Sequence, residues 1–187
     1  KDDYMGSPYV SSESRMGISL LGCGNITISG LTIKDTGGDG IYIDKNWSQS
    51  QNFCYDIVIQ DVTLDNNYRQ GISVISVERL LIDHCIIRNT NGTAPQHGID
   101  FEPNLATQRL IDCVVRNTII EGNVGSGISF WLNNLSEENR ANVTATIENC
   151  SLIGNSGRGL SLSHAIPGLT VRDSLFVDNG SYGVYIL

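Results

Sequence analysis

Two carboxylates, Asp100 and Glu102, stand two residues apart in the segment His97-Gly98-Ile99-Asp100-Phe101-Glu102. On an extended strand, residues i and i+2 share a face, which sets two such carboxyls about 6.6–7 Å apart. That separation sits at the lower edge of the spacing used for inverting glycoside hydrolysis, where one carboxylic acid protonates the leaving oxygen and a carboxylate activates the intervening water. The imidazole of His97 offers a second chemistry. Together with Asp100 it could abstract the C5 proton of a uronate, the step that lyases and epimerases share.

Either chemistry requires an element that holds these groups on one face, and the sequence supplies it as a repeat. The pattern Gly-apolar-x-apolar begins at Gly17, Gly40, Gly71, Gly98, Gly127, Gly159 and Gly183, at intervals of 23, 31, 27, 29, 32 and 24 residues. A coil of about two dozen residues, sometimes lengthened by a loop, accounts for all six intervals. Each coil closes on a polar residue: Thr36, Asn67, Thr90, Asn123, Asn155 and Asn179. Apolar columns fall at fixed distances before it, such as Ile28, Ile59, Ile82, Val115, Ile147 and Val171. One amphipathic coil cannot bury its own apolar face, but stacked neighbours can, so about seven coils of short parallel strands are expected around a filled interior. Asn amides in the closing column are expected to bond along the stack. Cys85 and Cys150 fall two coils apart, roughly 9–10 Å, beyond the reach of a disulfide.

The strand after the repeat Gly aligns best. Its outward positions two beyond Gly read Ser19, Tyr42, Ser73, Asp100, Ser129, Ser161 and Tyr185. Four beyond Gly they read Leu21, Asp44, Ile75, Glu102, Trp131, Ser163 and Leu187, and one before Gly they read Met16, Asp39, Gln70, His97, Ser126, Arg158 and Tyr182. Acids, an imidazole, Arg69 and aromatic rings thus gather on coils two to five. Extra residues at 45–55, 104–111 and 133–142 all leave the same end of that strand, and a further insertion, 91–96, enters the coil of Asp100. Insertions on one flank build one wall, so a groove across this sheet is the expected site. Asp39 and Asp44, two coils from Asp100, reach the same sugar across roughly 9–10 Å. Glu102, beside Ile75 and Trp131, is expected to be the acid and Asp100, beside two serines, the base. Arg69, Tyr42, Tyr68 and Trp131 are expected to bind substrate, the rings by stacking on pyranose faces.

Composition agrees with strands and turns: the apolar 40% is mostly Ile, Val and Leu, and seventeen Asn accompany it. A net charge of −8 argues against nucleic acid as a partner. The longest apolar runs are far too short to cross a membrane as a helix. The chain starts at Lys1 without a signal peptide and stops inside an apolar strand, so residues 1–187 are expected to form one domain cut from a longer protein.

The columns from Gly17 to Ile186 resemble the right-handed parallel β-helix repeat proteins of the pectin-lyase-like superfamily. The segments Thr36-Gly-Gly-Asp-Gly-Ile-Tyr-Ile43, Asn67-Tyr-Arg-Gln-Gly-Ile-Ser-Val74 and His97-Gly-Ile-Asp-Phe-Glu-Pro-Asn104 are similar to a bacterial subgroup with generic names. The resemblance implies an all-β solenoid, a secreted or periplasmic setting, and a polysaccharide partner. It leaves open a glycoside hydrolase, a polysaccharide lyase or uronate C5-epimerase, and a non-catalytic glycan-binding or adhesion module. His97-Gly98-Ile99-Asp100 is similar to the alginate epimerase pattern of Tyr, Gly, Phe and Asp, but departs at its first position and again at Phe101-Glu102-Pro103, where that family has Pro-His-Glu. Gly38-Asp39-Gly40 has one acid where polygalacturonases have a pair. No cofactor is called for, although Asp39, Asp44 and Asp100 with Arg69 imitate the calcium-dependent pectate lyases and keep calcium as an alternative. The reading favours hydrolysis.

Overall fold

The computed structural model describes residues 1–10, 12–48 and 50–187. Three parallel sheets wind around one interior. The first has seven strands, Ile18–Leu21, Ile41–Asp44, Ile72–Val74, Ile99–Phe101, Ile128–Phe130, Leu160–Leu162 and Val184–Ile186, in that spatial order. The other two sheets have six strands each, the second from Gly24–Ser29 to Gly168–Arg172 and the third from Thr32–Lys34 to Leu175–Val177, and every strand pairs with its counterpart one coil away. This is a parallel β-helix, with register as the repeat required: Ile28, Ile59, Ile82, Val115, Ile147 and Val171 are successive partners.

The column glycines are needed for close approach. A Cβ on Gly40 would meet the carbonyl oxygen of Gly71 closer than 3.0 Å, and the same holds from Gly17 through to Gly159 against the next glycine. Corners use left-handed backbone, at Gly30, Asp61, His84, Asn117, Asn149 and Asp173 between the second and third sheets. Asp, Asn and Gly tolerate that conformation best. The interior is aliphatic, with Phe101 and Phe130 stacked at a centroid distance of 4.3 Å.

The closing polar column is a buried ladder. Asn123 Nδ2 donates to Asn155 Oδ1 at 2.9 Å, and Asn155 Nδ2 donates to Asn179 Oδ1 at 3.0 Å. The ladder breaks at Thr90, where Asn67 Nδ2 and Thr90 Oγ1 have no partner among the described residues. The break falls beside the 91–96 insertion. All five cysteines are free thiols.

Candidate functional site

The wall expected from the insertions is built as a single unit. Gln108 Nε2 in 104–111 donates to Asp44 Oδ1 at 2.9 Å, and the Arg109 guanidinium lies 4.6 Å from the centre of the Phe53 ring in 45–55. Asn139 Nδ2 in 133–142 donates to the Ala106 carbonyl at 2.8 Å, where a short helix, Glu137–Ala141, is capped by Ser136. Gln49, within the first insertion, lies outside the described residues. Beneath this wall the outward row of the first sheet is covered rather than open. Asp39 and Gln70 are completely buried and Asp100 is 2% exposed.

Asp100 pairs in register with Ser73 and Ser129. Burial, and then the negative charge of Glu102, push its carboxyl up to about 8. Gln70 orients the carboxyl. The Gln70 Oε1 accepts from the His97 backbone N–H at 2.6 Å, so its amide nitrogen is turned to donate to Asp100 Oδ2 at 2.7 Å. Oδ2 is thereby an acceptor, and the Ser129 hydroxyl is a further partner of the carboxyl. Asp100 lines a cavity of about 410 Å³ together with Pro95, His97, Glu102, Ser129 and Trp131.

Glu102 is more open, with 28% of its side chain exposed, and its Oε2 lies 3.6 Å from Arg69 Nη2. The alignment expected Glu102 as the acid and Asp100 as the base; the structure raises the carboxyl of Asp100, through burial first and then the charge of Glu102. Glu102 stands beside a cation, whereas Asp100 has none within ion-pair distance among the described residues. Arg69 also grips Asp39, at 3.1 Å to Oδ2, and lies 3.7 Å from Glu13. The Ser73 hydroxyl donates to Asp39 Oδ2 at 2.7 Å. Burial still outweighs these partners and pushes Asp39 up to about 6. The guanidinium occupies the centre of this acidic cluster. Among the described residues no group of three or more His, Cys, Asp and Glu is arranged to hold a metal ion.

Asp44 is not a groove acid. It is fully buried, and four donors converge on its two oxygens: Tyr42 Oη at 3.0 Å, Trp47 Nε1 at 3.1 Å, the Lys45 backbone N–H at 2.6 Å and Gln108 Nε2 at 2.9 Å. It ties coil two to two insertions and is the knot of the wall. Asp44→Asn would turn one oxygen into a donor facing donors, and is expected to cost about 2–3 kcal/mol in denaturant unfolding. An unchanged midpoint would mean that the wall does not depend on this knot.

His97 is not a free base. Its Nδ1 accepts from the Ser126 backbone N–H at 2.7 Å. Burial, helped by the positive charges of Arg69 and Arg158, pushes its pKa down to about 4. A neutral imidazole whose Nδ1 accepts must carry its proton on Nε2, so the ring is a donor with no lone pair left for proton abstraction.

The expected binding residues divide. Trp131 is 47% exposed and forms a shared wall between the Asp100 cavity and a larger one. Tyr42 and Arg69 line a cavity of about 350 Å³ on coils one to three, with the Tyr42 phenol engaged by Asp44. Tyr68 lies elsewhere, packed against Gly92 and propping the 91–96 insertion, because that insertion folds back over coil three. Gln70 and Arg158 were legible only as members of the column that singled out His97. Gln108 had no sequence signal, since its role depends on how two loops meet.

The chain matches the family described as right handed beta helix region over residues 16–187. It is also similar to an uncharacterized protein, YclG, of Bacillus subtilis (strain 168), with 29% identity over 123 residues. That match covers 60% of this chain and 21% of YclG, so the chain spans about a fifth of that relative's length. No solved structure matches. The parallel sheets, the stacked columns and the family match over nearly the whole chain agree: this protein belongs to the right-handed β-helix family.

Proposed function

We propose that the protein hydrolyses a polysaccharide lying along the groove of coils two to six, with Asp100 as general acid and Glu102 as general base. The observation that carries this reading is the buried Asp100 carboxyl, held up at about 8 in a residue that lines one cavity together with Glu102. Asp100 passes its proton to the glycosidic oxygen as the C–O bond breaks. Glu102 takes a proton from a water whose oxygen bonds to the anomeric carbon. Two positions apart on extended backbone, about 6.6–7 Å, the pair makes inversion the expected outcome. Trp131 supplies a ring for a pyranose face, and the neutral His97 Nε2–H a donor to a sugar oxygen. A polysaccharide partner implies a secreted or periplasmic setting. The scheme requires no cofactor.

Proton abstraction from a uronate is less well supported, because His97 has no free lone pair and Asp100 holds its proton at neutral pH. Incubation with a panel of neutral and acidic polysaccharides separates the readings. Hydrolysis gives new reducing ends, with a rate that falls as pH rises through about 8 when Asp100 loses its proton. Unsaturated products absorbing in the ultraviolet would instead mean elimination. Retention of glycan without any product would mean a binding module.

A further inference from the structure

Beyond Trp131 the groove opens into a cleft of about 600 Å³ on coils five to seven, sharing His97, Ser129 and Trp131 with the Asp100 cavity. In a chain with twenty Asp and Glu against twelve Lys and Arg, no Asp or Glu side chain lines it. Arg158 does. Its guanidinium lies 3.9 Å from the centre of the Tyr185 ring, and its Nη1 donates to Ser161 Oγ at 3.0 Å. Among the described residues Arg158 has no carboxylate partner, whereas Arg69, Arg79, Arg88, Arg109, Arg116 and Arg172 each have one. Asn133 and His164 stand in the same lining, and the Arg140 guanidinium lies 3.0 Å from His164 Nε2, again without an acid.

A half-buried guanidinium fixed by a ring below and a hydroxyl beside it is preorganised, and its remaining N–H donors match the geometry of a carboxylate or sulfate. The outward register puts Arg158 two coils from Asp100, roughly 9–10 Å along the stack. An anionic group bound there belongs to a sugar other than the one whose bond is cleaved. We infer that the cleft around Arg158 is an anion-binding subsite, and that the glycan this groove takes carries a carboxylate or sulfate. This deepens the hydrolase reading and rests on it for the nature of the ligand.

The test is binding without turnover, using Asp100→Asn protein and three polymers of one backbone: dextran, carboxymethyl dextran and dextran sulfate. At least one anionic polymer is expected to bind about tenfold or more tighter than neutral dextran, the scale of one charge-assisted contact, and the preferred one identifies the group. Arg158→Gln is expected to abolish that preference, Arg158→Lys to keep part of it, and added salt to weaken it. Equal affinity for all three polymers, or a preference that survives Arg158→Gln, would overturn the subsite. Because no product is measured, a failed hydrolase reading would leave this result intact.

Discussion

Asp100→Asn is expected to unfold at a higher temperature than the wild type while losing at least about a hundredfold in turnover. The fold raises the Asp100 pKa to about 8, by burial and by Glu102, from an ordinary value of 3.8. A carboxyl raised in the folded state carries no penalty below its unfolded pKa. Stability is then lost as pH rises from about 4 to about 8, by at most about 1.4 kcal/mol for each pH unit. Asn mimics the neutral acid: its oxygen can accept from Gln70 and its volume is almost the same. The gain in melting temperature should therefore grow between pH 5 and pH 8 and level off above. Activity falls because an amide cannot give up a proton. A variant equally active would remove Asp100 from the mechanism, and one destabilised at pH 8 would contradict its raised pKa.

Ile82→Asp is expected to destabilise by about 3 kcal/mol or more, enough to leave much of the protein insoluble. Ile82 is completely buried between Ile59 and Val115, and a carboxylate there has no donor to meet it. The outward Ile119, 40% exposed on the third sheet, is the control, and Asp at that position is expected to change little. Equal melting temperatures for the two variants would contradict the inward column.

The fold was legible because a solenoid repeats each constraint at every coil. One weak signal, an Ile followed by a polar residue, becomes decisive when it recurs at Ile28, Ile59, Ile82 and Ile147 in one register. The left-handed residues inside the second-sheet strands, Asn25, Asp56, Arg79 and Asp112, were not legible, since their types do not repeat. The site was legible as a place and not as a set of roles. Alternation placed Asp39, Asp100 and Glu102 on one outward face, but outward did not mean exposed. Which acid is protonated depends on how loops from other coils cover the row, and Gln108 reaching Asp44 has no trace in local sequence. The same folding-back hid the fate of Tyr68.

The central claim is that Asp100 is a carboxylic acid at neutral pH, and its side-chain carboxyl carbon reports this directly. In protein labelled with ¹³C at aspartate carboxyls, the resonance missing from Asp100→Asn identifies the residue, and its shift can be followed from pH 3 to pH 10. A midpoint near 8 is expected, with the acid form present at pH 6. A midpoint near the ordinary aspartate value, about 4, would contradict it.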